Sequence, residues 1–151
     1  MQVRRAKRSD LPSLLLLAEQ FHSEDPAFKN LPFDATVTMG TFGDYLGKPF
    51  CCLLVAEEKG RITGFFMGHV SRAAWGAFRE SFEDFFYVLP QHRAGGAGRK
   101  MLDAYVEWAR EMGATIIGSG IRSRINEDAA AWLLESAGFA QIGTLWVHRG
   151  G

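Results

Sequence analysis

The clearest signal for the fold of this chain lies in residues 89–100, LPQHRAGGAGRK. They lie between a run rich in Phe and Tyr, residues 81–88, and a segment of helical periodicity that begins at Gly98. Glycine lets a backbone approach an anion closely, and the first turn of the following helix offers unpaired N–H groups and a positive dipole end. Positive charge comes from Arg93, Arg99 and Lys100. The stretch therefore predicts a binding loop for phosphate or pyrophosphate.

Two familiar phosphate loops do not match this stretch. A Walker loop requires Gly-Lys followed by Ser or Thr, whereas Gly98 is followed by Arg99 and Lys100. A dinucleotide fingerprint that starts at Gly96 requires Gly or Ala where Met101 stands. A glycine-rich turn that only starts a helix is the alternative that the residues leave open.

The rest of the sequence predicts strands and helices on both sides of the loop. Apolar runs predict strands at 3–6, 51–56, 61–70, 81–88, 114–119 and 139–149. Periodic apolar residues and end signals predict helices at 11–22, 36–46, 98–112 and 127–137. This order indicates an α/β (α+β) fold, with a mixed, mostly antiparallel central sheet flanked by helices. The length of 151 residues predicts a single domain over 1–151.

Charge and composition narrow the function classes. Lys and Arg (17) balance Asp and Glu (17), so no net field favours nucleic acid or an acidic membrane surface. The N-terminus has no apolar core of a signal peptide, and no run approaches the roughly 20 apolar residues of a membrane span, so we expect a cytoplasmic protein. The four histidines are scattered and the two cysteines, Cys51 and Cys52, are adjacent. We expect no metal site, and we interpret both cysteines as small core residues.

The loop also resembles a known family motif. Residues 93–98, RAGGAG, are similar to the Gln/Arg-x-x-Gly-x-Gly/Ala motif of the GNAT acyltransferase superfamily. The flanking strand end and turn at 88–93 resemble that family as well, as do the segments 10–12, DLP, and 137–139, AGF. The resemblance covers nearly the whole chain, and only residues 23–49 lack recognisable features.

The resemblance implies a sheet splayed open near its middle, with acetyl-CoA in the cleft and its pyrophosphate on backbone N–H groups of the loop. The pantetheine arm is expected to pair with one edge of residues 86–88, as an added strand does. The cofactor-binding residues implied are Phe86, Tyr87, Val88, Arg93, Ala94, Gly95, Gly96, Ala97, Gly98 and Arg99.

Transfer to an amine requires a base, and two carboxylates precede the loop. The resemblance implies Asp84 as the catalytic base, because, counted back from Arg93, it stands where some polyamine-acetylating members of the family have a glutamate. Glu83 comes second and points to the opposite face of a regular strand. A bulge would exchange the two, and a carboxylate that only protects a sheet edge is the alternative for either. The family's acid, a tyrosine in the last helix, is replaced by Leu134; Tyr87, Tyr105 or water are the substitutes considered.

The expected function is N-acetyl transfer from acetyl-CoA to a primary amine on a small molecule or a protein. A regulatory or interaction protein that binds acyl-CoA without turnover is the alternative, because Leu134 replaces the usual tyrosine. Trp75 and Phe78 lie in a connection between strands, where we expect core packing, with the acceptor site or a subunit interface as the alternatives.

Overall fold

A five-stranded sheet with helices against both faces forms the computed structural model, which describes residues 1–150. The strands are β1 (Gln2–Arg5), β2 (Cys51–Glu58), β3 (Arg61–Arg72), β4 (Arg79–Val88) and β5 (Ala114–Gly118). The helices are α1 (Leu11–Glu24), α2 (Ala35–Gly47), α3 (Ala97–Glu111) and α4 (Glu127–Ser136), with 3₁₀ turns at Arg8–Asp10, Pro26–Phe28 and Pro90–Gly95. The strands follow their sequence order, antiparallel from β1 to β4 and parallel between β4 and β5. The predicted fold class is confirmed.

Alternation along β2 divides the core between the two faces of the sheet. Leu53 and Val55 pack with α1 and α2, whereas Cys52 and Leu54 pack with α3. Both cysteines are buried, as predicted, and burial raises the pKa of the Cys52 thiol to about 11. That thiol is therefore protonated at neutral pH and serves as a small apolar side chain.

The predicted helix starts and turns follow local chemistry. The carboxamide oxygen of Asn126 accepts the N–H of Ala129 at 3.0 Å and caps α4. Lys59 and Gly60 both have positive φ (50° and 76°) in the turn between β2 and β3, which suits the twist of a two-residue hairpin. Among residues 1–150, no helix combines the length and hydropathy that crossing a membrane requires.

Three sequence expectations are wrong. Residues 139–149 form no strand, because their apolar side chains gain no burial that would hold one: Ile142 and Trp146 are 99% and 88% exposed. The apolar run at 114–119 predicts a buried strand, but β5 is an edge strand and Ile116 is 44% exposed. Trp75 is 95% exposed at the connection between β3 and β4, so core packing does not explain it.

The sheet splits between β4 and β5. Their pairing runs from Arg79 with Ala114 to Phe82 with Gly118, and β4 then continues to Val88 paired with β3 on its other edge. The hydroxyl of Tyr105, a fully buried residue of α3, accepts the Ser81 hydroxyl at 2.8 Å and donates to the Gly118 carbonyl at 2.9 Å. These two bonds join β4, β5 and α3 at the vertex of the split. Beyond the vertex the strands diverge and leave a cleft.

Candidate active site

The cleft between the diverging strands holds a cavity of about 290 Å³. Its walls come from residues 83–86 of β4, the loop 119–123 after β5, Ala130, Leu133 and Leu134 of α4, and Asp25, Ala27 and Phe28 after α1. Because β4 and β5 are parallel, their carboxyl ends meet at this edge, which is where an open α/β sheet usually binds its ligands. The cavity is thus lined by four separate segments of the chain.

The two carboxylates of β4 point in different directions and lie at a bulge. Met67 of β3 pairs with Phe85 and Gly68 pairs with Glu83, which leaves Asp84 as the extra residue. The Glu83 carboxylate lies in the cleft, where it accepts the Ser119 hydroxyl at 2.5 Å and the Gly120 N–H at 3.2 Å. Burial raises the pKa of the Glu83 carboxyl above its usual range, although both hydrogen bonds act against that rise.

The Asp84 carboxylate is occupied on the other side of the bulge. It accepts the hydroxyl of Tyr45 from α2, and it lies 2.8 Å from Nδ1 of His69 on β3. Burial and this hydrogen bond raise the pKa of Tyr45, so its hydroxyl stays protonated and donates. Asp84 therefore contributes to the cavity wall while its acidic group joins α2, β3 and β4.

The predicted phosphate loop forms a 3₁₀ turn followed by a helix start. Gly96 adopts a left-handed conformation (φ 79°), which favours glycine, and α3 begins at Ala97, one residue before the predicted start. The first helical bond runs from Lys100 N–H to the Gly96 carbonyl, so helix geometry leaves the N–H groups of residues 97–99 without a helical partner. A Cβ at Gly95 or Gly96 would have no heavy atom within 4 Å, so this end of the loop is open to an anion.

Gly98 has a different role from the other loop glycines. A Cβ at Gly98 would lie 3.0 Å from Cδ2 of Leu133 and 3.2 Å from Cζ of Phe86. This glycine therefore lets α4 and β4 pack closely against the start of α3. The approach of a ligand was expected to require all three glycines. Close packing against Leu133 and Phe86 is by itself enough to require a glycine at position 98.

Arg93 folds back onto β4 and α1. Its Nε donates to the Val88 carbonyl at 2.9 Å, and its Nη2 donates to both carboxylate oxygens of Glu24 at 2.7 and 2.9 Å. The hydroxyl of Tyr87 donates to the same carboxylate at 2.6 Å. One edge of residues 86–88 pairs with β3, and the opposite edge faces the cleft, so the guanidinium caps a carbonyl on the edge expected to bind pantetheine.

The other arginine predicted for the cofactor, Arg99, also has partners within the chain. Its Nε pairs with Asp103 at 2.9 Å, and its Nη1 donates to the Ser136 carbonyl at 2.7 Å. The loop thus offers an anion its backbone N–H groups directly, while its guanidinium groups are held by neighbouring elements.

The two tyrosines considered as substitutes for the family's acid do not line the cavity. The hydroxyl of Tyr87 is engaged by Glu24, and that of Tyr105 is engaged at the vertex of the split. Leu134 does line the cavity, as its position predicts, and it brings no proton donor. Within residues 1–150, no group of three His, Cys, Asp or Glu side chains is placed to hold a metal ion.

Sequence reasoning missed the loop that follows β5. Ser119 and Gly120 hold the Glu83 carboxylate, and Arg122 donates to the backbone carbonyl of Asp84. The Arg122 Cζ also lies 5.6 Å from the ring centroid of Phe85. A signal for this loop was present, because the polar residues 119–124, SGIRSR, come directly after a strand predicted to sit in the same sheet as β4.

A sheet that splits between a parallel pair, with an open, glycine-rich helix start after one of the two strands, is the arrangement to compare with known proteins. The model of the acetyltransferase (GNAT) family matches residues 15–139, and the chain belongs to this family. The family predicted from the loop is confirmed.

Two curated proteins are similar to this chain in sequence. The chain is 35% identical over 101 residues to the L-amino acid N-acyltransferase MnaT of Escherichia coli K12, covering 61% of this chain and 55% of that protein. It is 36% identical over 97 residues to the L-methionine sulfoximine/L-methionine sulfone acetyltransferase of Salmonella typhimurium LT2, covering 62% and 52%. The matches thus span about half the length of these relatives.

Solved structures share the fold at low sequence identity. An aminoglycoside antibiotic 6'-N-acetyltransferase from Acinetobacter haemolyticus aligns with a TM-score of 0.76 and 16% identity, over 100% of this chain and 99% of that one. AAC(6')-Iy, solved with a bisubstrate analogue of CoA, aligns with a TM-score of 0.79 and 15% identity, over 99% and 97%. These likenesses establish the fold.

Proposed function

We propose that this chain transfers an acetyl group from acetyl-CoA to a primary amine by direct attack in the cleft between β4 and β5. The observation that carries the proposal is the position of Glu83, a carboxylate of raised pKa that lines the cleft on the strand leading to the anion-binding loop. A base on a strand that leads into a phosphate-binding loop suits a reaction between an amine and a long phosphorylated thioester.

In the proposed reaction the amine nitrogen forms a bond to the thioester carbonyl carbon, and the carbon–sulfur bond then breaks. Glu83 accepts the proton that the amine loses, because its raised pKa brings the carboxylate closer to the working pH of a base. Ser119 and Gly120 orient that carboxylate. The thiolate of CoA leaves and takes a proton from solvent, which makes a tyrosine at position 134 unnecessary.

The two carboxylates now rank in the opposite order from the sequence expectation. Asp84 came first there, but its carboxylate is engaged by Tyr45 and His69, whereas Glu83 has only donors from the cleft loop. We therefore assign the base to Glu83 and a positioning role to Asp84. The different partners of the two carboxylates are the reason for the exchange.

The loop residues fit a CoA pyrophosphate. The N–H groups of residues 97–99 and the open space above Gly95 and Gly96 suit the phosphates, and the free edge of residues 86–88 suits the pantetheine amides. Arg93 would exchange Glu24 for the cofactor. The AAC(6')-Iy structure, which shares the fold, contains a CoA bisubstrate analogue.

A small amine is the better acceptor for this cleft. A cavity of about 290 Å³ lined by four segments of the chain suits a metabolite, whereas a polypeptide needs a long groove. The relatives named above act on amino acids or their analogues, which supports the same class. The balanced charge supports neither nucleic acid nor an anionic membrane as a partner, and a cytoplasmic location and a homodimer stay predictions.

Calorimetry with acetyl-CoA, followed by turnover against a panel of amines, tests the proposal. Gly95→Glu places a carboxylate beside the proposed phosphates without a steric clash, and we expect it to abolish measurable binding. Gly40→Glu is the matched control, because its Cβ on α2 also has open space. Equal binding by both variants and the wild type would show that the loop does not hold the cofactor.

A protein that binds acyl-CoA without turnover is the second candidate. The observation in its favour is that Leu134 lines the cavity while both nearby tyrosine hydroxyls are engaged elsewhere. It predicts calorimetric binding of acetyl-CoA and no release of CoA with any amine of the panel.

A further inference from the structure

Arg122 is the one basic residue among the described residues that line the cleft. It belongs to the loop after β5, and two contacts with β4 hold its side chain: the bond from Nη2 to the Asp84 carbonyl, and the stacking of its guanidinium on Phe85. The guanidinium therefore has a fixed position beside the cavity rather than a free one in solvent.

The donors of this guanidinium exceed its known partners. Arginine carries five N–H donors in a planar fork, and one hydrogen bond to the Asp84 carbonyl uses a single donor. A carboxylate is the group that such a fork binds best, because two parallel N–H donors match its two oxygens. The side chain is exposed to the cleft, so a ligand carboxylate reaches it without displacing protein.

Arg122 and Glu83 form a pair of opposite charges within the same cavity. Burial dominates in raising the pKa of the Glu83 carboxyl, and the positive charge of Arg122 acts against that rise, so the two groups lie within electrostatic reach. An α-amino acid presents the complementary pair, an amine and a carboxylate on one carbon. A simple amine would leave the guanidinium without a counter-charge.

We propose that Arg122 binds the carboxylate of an α-amino acid acceptor and so directs its amine toward Glu83. This inference rests on the proposed function and adds the residue that selects the acceptor. Arg122 acts on specificity, because its guanidinium holds the acceptor and takes no part in the proton transfer.

The experiment compares kcat/KM for L-amino acids with kcat/KM for the amines that lack their carboxylate. L-Methionine sulfone and 3-(methylsulfonyl)propan-1-amine form the first pair, and other L-amino acids with their decarboxylated amines follow. We expect the wild type to favour the amino acid, and Arg122→Met to reduce that preference about 10- to 100-fold, since a charge-assisted bidentate contact is lost. Arg122→Lys, which keeps the charge without the fork, should fall between them.

Arg124→Met is the matched control in the same loop. Arg124 pairs with Glu127 at 3.7 Å, is exposed, and does not line the cavity, so its loss should leave the preference unchanged. Any effect of Arg122 on the base acts on both substrates equally and cancels in the ratio. Circular dichroism checks that each variant is folded.

The outcomes separate this inference from the proposed function. A wild type that acetylates no amine of either kind, with no release of CoA, overturns the proposed function and the inference together. A wild type that acetylates both members of each pair equally, or an Arg122→Met variant that keeps the full preference, overturns the inference alone.

Discussion

Tyr105→Phe tests the vertex at which the sheet splits. The substitution removes one oxygen atom, which leaves the fully buried Ser81 hydroxyl without its acceptor and takes one hydrogen bond from the partly buried Gly118 carbonyl. A buried polar group without a partner costs about 1 to 3 kcal/mol, so we expect the free energy of unfolding to fall by about 2 to 3 kcal/mol. For a domain of this size, each 1 kcal/mol lowers Tm by about 2–4 °C.

The double-mutant cycle with Ser81→Ala separates this bond from general packing. Ser81→Ala alone should cost about 1 kcal/mol, because Tyr105 keeps its bond to the Gly118 carbonyl. In the Tyr105→Phe background the same change should cost less, or stabilise, because it removes the orphaned hydroxyl. Urea unfolding followed by tryptophan fluorescence measures all four proteins. Additive effects, or a change below about 0.5 kcal/mol in Tyr105→Phe, would refute the reasoning.

The other predictions concern the cleft and the loop. Glu83→Gln should lower kcat by about 10²- to 10⁴-fold and leave the Kd of acetyl-CoA, measured by calorimetry, unchanged. Asp84→Asn should lower kcat less. If Asp84→Asn lowered kcat more than Glu83→Gln, the base would be Asp84. In the wild type, kcat/KM should rise with pH as Glu83 loses its proton, with the rise displaced above the usual range of a glutamate because burial raises its folded pKa. Because its pKa is raised in the folded state, Glu83 stabilises the fold at low pH, and this contribution is lost as the pH rises through the folded pKa. Glu83→Gln should remove this pH dependence from the free energy of unfolding, measured by urea unfolding at several pH values. Glu24→Gln should tighten acetyl-CoA binding about 2- to 5-fold by calorimetry, because it frees Arg93 from a partly exposed ion pair while keeping an acceptor for Tyr87; weaker binding would contradict the exchange.

The fold could be predicted where local patterns were strong. The period of α3, the cap at Asn126 and the turn before Gly60 each depend on neighbouring residues, and each lies at or within a residue of its expected place. Residues 139–149 also have the composition of a strand, but strand propensity does not supply a partner strand. These residues form no strand.

The site could be predicted less well because its groups meet across the chain. The partner of Arg93 is Glu24, 69 residues away, and nothing near either residue indicates the pair. The bulge at Asp84 depends on cross-strand contacts, since a Cβ at Gly68 would lie 2.9 Å from the Tyr105 ring and 3.1 Å from the Phe82 carbonyl oxygen. A single sequence specifies the carboxylates but not their directions.

The close contact at Gly98 gives the two ends of the cleft a shared wall. The first turn of α3 offers N–H groups to an anion, and the same turn touches Leu133, whose neighbour Leu134 lines the cavity with it. Interiors packed at this density transmit small displacements, so a shift of the helix start is passed to α4. We therefore expect a methyl group added by Gly98→Ala to change both the Kd of acetyl-CoA and the KM of the acceptor. Gly98 would then couple the two proposed binding sites through its packing contacts.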